Sequence, residues 1–348
     1  MALKSWDKVK LKTDEGEIVD AIAPIIISAS RSTDIPAFHA EWFINRLNKG
    51  YVVWENPFNR NQRQYVSFEK TRVIVFWTKN AEPIIPFLKE IDQKGINYYF
   101  QFTLNDYENE GFEPHVPKFE NRIKTFKKLS DAIGKEKVIW RFDPLIRTDK
   151  LGVEQLINKV YRVGEEIHKY TTKLVISFAD IEPYTKVKRN LRNSDIEYRE
   201  FDKNNMEKFS EEIQKINKKW GLEIATCAEG FNLNKYDIKN NKCIDDDLMI
   251  KLFNKDKIIM EFLGAKKEHE PKKLDLSSFG GGSQLEVVEN KLKDKGQRKE
   301  CGCIVSKDIG QYNTCMHLCV YCYANYSEKV VRENLKKITI NSESILGY

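Results

Sequence analysis

Three cysteines near the end of the chain have a spacing that could support iron–sulfur chemistry. Cys315, Cys319 and Cys322 form a CxxxCxxC pattern in the segment DIGQYNTCMHLCVYCYAN. Three thiolates on one short loop can hold three irons of a [4Fe–4S] cube and leave the fourth iron open to another ligand. An open iron suits a cluster that takes part in chemistry, whereas a cluster bound by four thiolates normally only transfers electrons. We therefore predict a reactive [4Fe–4S] cluster at this loop.

The other four of the seven cysteines are the basis for a second predicted site. They are Cys227, Cys243, Cys301 and Cys303, the last two in the tripeptide CGC. Four thiolates suit either a closed [4Fe–4S] cluster or a structural zinc ion. We expect an auxiliary metal site and favour the cluster, because CxC is not a common zinc spacing. The alternative is that Cys227 and Cys243 are small buried residues without a metal.

Zinc is also the alternative for the CxxxCxxC pattern. A zinc ion takes four ligands, and tight CxxC pairs such as Cys319 and Cys322 are common among its sites. His317 or Cys303 is available in the sequence to complete such a set. We favour the open cluster over zinc because this spacing, with Tyr321 directly before the last cysteine, resembles that of a known enzyme superfamily described below.

Short apolar runs alternate with longer amphipathic stretches from residue 24 to about 265. The runs are rich in β-branched and aromatic residues, and they are continuous, as expected when both faces of a sheet are covered. The predicted strands are residues 24–30, 73–79, 98–104, 138–144, 174–180, 222–228 and 258–264. The helices predicted between them are residues 37–48, 83–94, 118–133, 153–168 and 205–220.

Repeated strand–helix–strand units predict right-handed crossovers and a parallel sheet. Six or seven such units favour an α/β fold that is a complete or partial (β/α) barrel of the TIM type. An open doubly wound sheet is the second choice, but no GxGxxG follows the first strand. The composition becomes charged and glycine-containing after residue 265. We therefore divide the chain into a barrel domain, residues 1–265, and a linker with a cluster-binding extension folded over the barrel mouth, residues 266–348.

Polar residues crowd the carboxyl ends of the predicted strands, and in a parallel barrel these ends meet at one mouth, where active sites are built. We expect Arg141, Asp143 and Lys79 to act in catalysis, and Arg31, Asp34, Gln101, Asp180 and Glu229 to contact a cofactor or substrate. Arg141 and Gln101 interrupt otherwise apolar strands, and a buried charge needs a partner or a ligand. The alternative is that some of these residues belong to ordinary polar loops.

Composition excludes several classes of protein. Hydrophobic residues make up 41% of the chain and aromatic residues 11%, which argues against disorder as its main state. A formal charge of +6 over 348 residues permits a nucleic-acid partner but does not require one. The best apolar run, residues 21–27, is too short for a membrane span, and the first residues contain no signal core. We expect a cytoplasmic protein with no membrane partner.

The CxxxCxxC spacing with Tyr321 before the last cysteine resembles the signature of the radical S-adenosylmethionine enzymes. This resemblance implies that the amino and carboxylate groups of S-adenosylmethionine chelate the open iron. It further implies reductive cleavage to a 5′-deoxyadenosyl or related radical, a (β/α) barrel, and an electron donor such as flavodoxin or ferredoxin. In most of that superfamily the cysteine loop follows the first strand, whereas here it follows the whole predicted barrel.

Two further resemblances complete the prediction of function. The ending YCYAN resembles spore photoproduct lyase. The segments SASRSTDIP and VSFEKTRVIVFWTKNAEPI, with the C-terminal cysteines, resemble a bacterial family of uncharacterised proteins, a domain of unknown function. We predict a radical S-adenosylmethionine-type enzyme whose substrate is a small molecule, a peptide or a nucleic acid. The alternatives are a lyase for nucleic-acid lesions, and a non-catalytic iron–sulfur or zinc protein that senses redox state or binds nucleic acid.

Overall fold

The structure is a computed structural model that describes residues 6–57, 59–227, 229–265 and 292–347. The first part of the predicted extension, residues 266–291, lies outside the described residues. Within the described ranges, no helix is long and apolar enough to cross a membrane.

The described residues form strands and helices that largely follow the predicted alternation. The strands are β1 (Asp7–Lys12), β2 (Ile18–Ala23), β3 (Ile26–Ala29), β4 (Tyr51–Asn56), β5 (Asn59–Ser67), β6 (Val73–Thr78), β7 (Asn97–Thr103), β8 (Val138–Leu145), β9 (Arg147–Thr148), β10 (Lys173–Phe178), β11 (Tyr198–Arg199), β12 (Glu223–Thr226), β13 (Ile238–Asn240) and β14 (Lys307–Asp308). The helices are α1 (Ile35–Phe38), α2 (Ala40–Lys49), α3 (Leu88–Gln93), α4 (Phe119–Ile133), α5 (Val153–Ile167), α6 (Thr185–Asn193), α7 (Lys203–Trp220), α8 (Asp246–Phe253), α9 (Lys257–Leu263) and α10 (Glu328–Leu335).

Eight strands form one large parallel sheet in the order β13-β12-β10-β8-β7-β6-β3-β14. The predicted parallel sheet and the mixed α/β class are therefore confirmed. Among the described residues no strand pairing joins β13 to β14, so the sheet is not closed into a barrel.

The prediction of a seventh strand at residues 258–264 is wrong, because these residues form α9. Asp256 caps this helix by accepting hydrogen bonds from the backbone N–H groups of Ile258 and Ile259, at 3.1 and 3.3 Å. Gly264 ends the helix in a left-handed conformation, which glycine adopts without steric cost. Over so short a run, a capped helix and a buried strand can have the same apolar composition, so the sequence did not distinguish them.

The two faces of the large sheet are both covered, which explains the continuous apolar runs. Side chains alternate between the faces along each strand. Phe76, Phe100 and Trp140 belong to the core that contains the residues of α4, α5 and α7. Their neighbours Tyr99 and Ile139 belong to a second core, on what we call the cysteine face of the sheet. That core also contains three of the cysteines and apolar residues of α8 and α9.

Three predicted helices, at residues 118–133, 153–168 and 205–220, agree with α4, α5 and α7 within two residues. The prediction for residues 37–48 missed a break at His39, which separates α1 from α2. The prediction for residues 83–94 was too long, since a 3₁₀ turn containing Pro86 precedes the short α3. A second, four-stranded sheet, in the order β1-β2-β5-β4, was not predicted. Its β1 and β5 are rich in charged or polar residues and offer no continuous apolar run.

After β13 the chain turns onto the cysteine face. The carbonyl oxygen of Cys243 accepts hydrogen bonds from Tyr99 Oη (2.7 Å) and Gln101 Nε2 (3.0 Å), both on β7. The backbone N–H of Ile304 donates to the carbonyl oxygen of Ile244 at 3.2 Å, which joins this segment to the one that precedes β14. The segment that carries Cys243 therefore lies against the middle of the sheet.

The last strand of the large sheet lies beside the first. Lys307 of β14 is opposite Ile27 of β3, and Asp308 is opposite Ser28. Because the two strands are parallel, residues that follow Asp308 emerge at the carboxyl end of β3. The end of the chain is thus brought to the edge of the sheet where the other strands also end.

Candidate metal centres

The CxxxCxxC loop, residues 315–322, lies over the carboxyl ends of the central strands. Asp308, which leads into it, accepts a hydrogen bond from the backbone N–H of Arg31, just after β3, at 2.9 Å. Lys79, just after β6, donates from Nζ to Tyr321 Oη at 2.9 Å. The loop therefore sits at the edge where active sites are built in parallel α/β proteins.

Asp34 fastens the loop to the sheet. Its Oδ1 caps α1 by accepting from the backbone N–H of Ala37 at 3.0 Å. Its Oδ2 accepts from the backbone N–H of Lys79 at 2.7 Å and lies 2.8 Å from His317 Nε2. The Nδ1 of His317 faces the carbonyl oxygen of His115 at 3.5 Å. Both ring nitrogens of His317 thus have partners within the chain, which argues against this histidine as a zinc ligand.

A buried ionic network lies directly beneath the loop and is centred on Glu113. Lys79 Nζ is 2.7 Å from Glu113 Oε1, and Arg122 Nη1 is 3.4 Å from Oε2. Tyr321 Oη and Asn105 Nδ2 also donate to Oε1. Burial acts to raise the pKa of Glu113, but the charges of Lys79 and Arg122 outweigh it and hold the pKa at about 2. Lys79, predicted to be catalytic, has its ammonium group engaged in this network.

The three thiols of the loop are close enough to influence one another. Burial raises the pKa of Cys319 well above its usual range, and the nearby Cys322 and Cys315 raise it further, against the opposing charge of Lys79. The pKa of Cys315 is raised to about 12, chiefly by burial. Neighbouring sulfurs whose negative charges oppose one another need a positively charged group between them to become thiolates together. This donor set therefore fits a metal cluster.

We predict that Gly310→Ala will displace the loop. A Cβ at this position would lie 1.8 Å from Ser30 Oγ and 2.8 Å from Ser32 Oγ, both in buried residues. Such overpacking costs about 1–3 kcal/mol of the free energy of unfolding, and we expect the urea midpoint to fall accordingly. Gly230→Ala is the matched control, since its Cβ would meet nothing within 4 Å. Equal midpoints for the two variants would contradict the proposed close approach.

The other four cysteines meet on the cysteine face. The Sγ atoms of Cys227 and Cys243 are 3.7 Å apart. The side chain of Cys243 also contacts Cys303, which in turn contacts Cys301. These contacts lower the pKa of Cys243 well below its usual range and raise those of Cys227 and Cys303, because neighbouring thiols donate to a thiolate at Cys243. The structure thus brings the four cysteines together as a connected row of sulfurs.

N–H groups are directed at two of these sulfurs. The backbone N–H groups of Cys243 and Ile244 donate to Cys303 Sγ at 3.2 and 3.4 Å. Arg141 Nη1 and Asn241 Nδ2 donate to Cys243 Sγ at 3.0 and 3.2 Å. Hydrogen bonds from N–H groups favour the thiolate over the thiol, and they tune the potential of any iron–sulfur cluster whose sulfurs they reach. This arrangement fits metal ligands better than it fits inert buried cysteines.

Arg141 and Gln101, the polar residues that interrupt two strands, serve this site. Arg141 donates to Gln101 Oε1 at 3.2 Å and to Asp143 Oδ2 at 3.1 Å, besides its contact with Cys243. Ser177 Oγ donates to the other oxygen of Asp143. Burial acts to lower the pKa of Arg141, but Cys243 and Asp143 raise it well above its usual range. The structure therefore brings Arg141, Gln101 and Asp143 together around the four-cysteine site.

The side chain of Arg31 lies near the four-cysteine row, and its backbone contacts Asp308 and Tyr323 on either side of the CxxxCxxC loop. Its guanidinium carbon is 5.2 Å from the centre of the Trp77 ring. Burial acts to lower the pKa of Arg31, but the nearby Cys303, Asp308 and Cys243 outweigh it and raise the pKa. Among the described residues, Nη2 of Arg31 is buried and has no hydrogen-bond partner. An unpartnered guanidinium nitrogen is suited to bind a carboxylate or another anion.

The two remaining predicted contacts lie nearer the rim. Glu229 accepts a hydrogen bond from the backbone N–H of Phe178 at 3.2 Å, and burial raises its pKa to about 7. Asp180 is exposed and its charge contributes to the raised pKa of Glu229. Of the predicted contacts, Asp180 is therefore the one that the structure leaves in solvent.

The distances between the cysteine sulfurs can be compared with the span of a single zinc ion. Two sulfurs bound to the same zinc at about 2.3 Å can be no more than about 4.6 Å apart. Within the described ranges, the only three or more Cys, His, Asp or Glu ligand atoms that all lie within 4.8 Å of one another belong to Asp245, Asp246 and Asp247. The 3.7 Å between Cys227 and Cys243 is within the span of one zinc ion, so zinc stays an alternative for the four-cysteine site.

Sequence reasoning missed several residues that hold the loop. Glu113 and Arg122 carry the buried charges, and Asp308 joins the loop to β3. Glu113 lies in an irregular loop with no periodic pattern, so nothing in the sequence marked it as buried. Asp308 offered a weak signal, because it opens the cysteine motif and follows a short apolar run.

The chain belongs to the family described as Domain of unknown function (DUF1848), whose profile matches residues 26–324. The match begins at the first residue of β3 and ends just beyond Cys322, so it includes all seven cysteines. No curated protein matches the chain. One solved structure with some similarity is that of a "putative alpha-L-fucosidase" from Bacteroides thetaiotaomicron VPI-5482. It shares 11% identity over 77% of this chain and 88% of that chain, with a TM-score of 0.26, and we base no conclusion on it.

Proposed function

We propose that this member of the DUF1848 family is a radical S-adenosylmethionine-type iron–sulfur enzyme whose reactive [4Fe–4S] cluster is held by Cys315, Cys319 and Cys322. The observation that carries the proposal is the position of this three-thiol set at the carboxyl edge of a parallel sheet. The two residues considered as a fourth ligand have other partners: His317 contacts Asp34, and Cys303 contacts Cys243. This leaves the three-thiolate set that an open iron requires.

When bound, such a cluster supplies an open iron for the amino and carboxylate groups of S-adenosylmethionine and an electron for its cleavage to a 5′-deoxyadenosyl or related radical. The chain's own residues position the loop for this chemistry. Asp34 fixes its first half through His317, and Glu113 fixes its second half through Tyr321. The buried ammonium of Lys79 offsets negative charge near Cys319. We assign Lys79 a positioning role rather than a proton-transfer role.

The auxiliary site in this proposal holds a second [4Fe–4S] cluster, with zinc as the alternative, on Cys227, Cys243, Cys301 and Cys303. Arg141 and Gln101 orient Cys243 there. We assign Arg31 to an anionic group of S-adenosylmethionine or of the substrate, because its buried Nη2 has no partner among the described residues. Asp143, Glu229 and Asp180 are the other polar residues that we place near the cofactor or substrate in this proposal.

The proposal also covers the scaffold, the substrate class, the electron donor and the location of the enzyme. We infer a partial TIM-type barrel as scaffold, with residues 266–348 as the extension that carries the loop. The substrate is a small molecule, a peptide or a nucleic acid, and a flavodoxin or ferredoxin supplies the electron. A cytoplasmic location is part of the same proposal, since a reducing compartment keeps the thiols available for metal.

Metal analysis and cofactor cleavage test the proposal. Full-length protein reconstituted without oxygen should contain about eight iron and eight sulfide per chain, as two four-iron cubes require. S-adenosylmethionine should change the electron paramagnetic resonance spectrum of the reduced protein, and dithionite should release 5′-deoxyadenosine. Zinc bound at all seven cysteines would refute the proposed enzyme function. Iron without a response to S-adenosylmethionine would favour the non-catalytic iron–sulfur protein, and turnover of irradiated DNA would favour the lesion lyase.

A further inference from the structure

Helix α6 presents a concentration of positive charge next to the CxxxCxxC loop. It contains no acidic residue, and its basic side chains are Lys186, Lys188, Arg189 and Arg192. Lys188 is paired with Glu182 at 2.6 Å. In the described part of the chain, no carboxylate lies within ion-pair distance of Lys186, Arg189 or Arg192. The helix therefore carries a local excess of positive charge that the modest net charge of the chain does not reveal.

This basic helix is in direct contact with the end of the loop. Asn190 Nδ2 donates to the carbonyl oxygen of Cys322 at 3.5 Å, and Lys186 Nζ donates to that of Tyr323 at 3.0 Å. Cys322 is partly exposed, whereas Cys319 is buried. Of these two residues, Cys322 is therefore the one that lies nearer to a partner on α6.

Exposed tyrosines extend the same surface. The side chains of Tyr323 and Tyr326 are 44% and 56% exposed. The guanidinium of Arg189 lies 4.8 Å from the centre of the Tyr326 ring, and Lys186 Nζ lies 5.8 Å from that of Tyr312. Aromatic residues and arginine are enriched where proteins bind one another. We call α6 with these three tyrosines the basic–aromatic surface.

The arrangement of the basic–aromatic surface favours an acidic protein over single-stranded nucleic acid as its binding partner. Proteins that bind single strands stack bases on aromatic ring faces along a basic groove. Here cations already lie over one face of Tyr312 and of Tyr326, and Tyr323 Oη is tied to the carbonyl oxygen of Arg31 at 2.7 Å. The cations lie on one short helix rather than along a groove. Encounter complexes for electron transfer bury little surface and rely on charge complementarity, which a patch of this size can supply.

We propose that the basic–aromatic surface docks a small acidic electron-transfer protein that carries a flavin or an iron–sulfur centre, and that its electron enters at Cys322. The inference rests on the proposed function, because an electron needs a cluster to receive it. One electron leaves the reduced cofactor of the donor and enters the oxidised cluster of the loop. The donor is oxidised by one electron, the cluster is reduced by one, and no covalent bond forms or breaks.

Stopped-flow reduction of the reconstituted full chain tests this surface. With flavodoxin hydroquinone at low salt, Arg189→Glu should lower the second-order rate constant at least fivefold, and Arg189→Gln should have a smaller effect. The difference should shrink at high salt, because ions screen exposed charges. Reduction by dithionite should not change. Lys218→Glu is the matched control: it makes the same change of charge at an exposed site in the last turn of α7, near the opposite edge of the sheet.

Specific outcomes would contradict the proposal that this surface docks an electron donor. Equal rate constants for Arg189→Glu and the parent protein would do so, as would equal slowing by Lys218→Glu. If Arg189→Glu loses binding to a single-stranded DNA 20-mer while flavodoxin hydroquinone still reduces the protein at the parent rate, the surface would be assigned to nucleic acid instead. If dithionite still drives cleavage of S-adenosylmethionine but the rate of reduction by flavodoxin does not depend on these charges, the docking surface is wrong and the proposed function stands. A chain without any cluster would refute both proposals.

Discussion

In the Cys319→Ala protein, we expect the iron content to fall from about eight to about four per chain. Dithionite and S-adenosylmethionine should then yield no 5′-deoxyadenosine. The physical reason is that Cys315 and Cys322 alone leave two irons of the cube without a protein ligand. The buried charges of Lys79 and Glu113 also act on the thiol of Cys319. Iron and sulfide analysis, followed by chromatography of the nucleoside product, measures both effects.

Cys301→Ala is the matched control for this prediction. It removes one thiol from the four-cysteine row and leaves the loop intact, so the response of the reduced protein to S-adenosylmethionine should remain detectable. If Cys319→Ala retains cleavage while Cys301→Ala loses it, the assignment of the two groups of cysteines is reversed. If neither variant changes the iron content, the cysteines are not its ligands.

Glu113→Ala should lower the free energy of unfolding by about 3–5 kcal/mol, the cost of removing one partner from a buried ion pair. The side chain of Glu113 is 2% exposed, as is that of Arg122, and Lys79 is only 15% exposed. Without the carboxylate, two buried cations remain next to each other and Tyr321 loses its acceptor. Urea denaturation followed by circular dichroism provides the measurement.

Two comparisons make this second prediction specific. Glu328→Ala breaks the exposed pair with Arg332 on α10, where we expect less than about 1 kcal/mol. Tyr321→Phe keeps the ionic network and removes one hydroxyl, with an expected cost of about 1 kcal/mol. A cost for Glu113→Ala no larger than that for Glu328→Ala would show that the network does not hold the loop in place.

The sequence was informative where its signals are local. Continuous apolar runs located the six predicted strands that are observed, because strands covered on both faces leave no polar alternation. Arg141 and Gln101 stood out as polar residues within such runs, and both contact Cys243. A charge is tolerated inside a strand only when a partner compensates it. That rule predicted a partner or ligand for Arg141, and the structure identifies Cys243, which is distant in sequence, as one such partner.

The sequence was uninformative where the arrangement depends on long-range contacts. The four-cysteine row joins residues from three separate segments, and no spacing rule relates Cys227 to Cys303. Glu113 became important only because folding placed it beneath a loop that lies far along the chain. The pairing of β14 with β3 was equally hidden, since two residues, Lys307 and Asp308, make too short a strand to show a pattern.

Because β3 pairs with β14, which lies about 280 residues later, the CxxxCxxC loop can take its place only after most of the chain has been translated. The ribosome makes β3 early and the neighbouring loop late, with an interval of about 15 to 60 s at roughly 5–20 residues per second. Cys227 and Cys243 emerge during this interval without Cys303 and without the loop. Under the proposed function, neither centre can take up its full complement of iron on a nascent chain. Metallation is then a late maturation step, and only chains translated through Cys322 can undergo it.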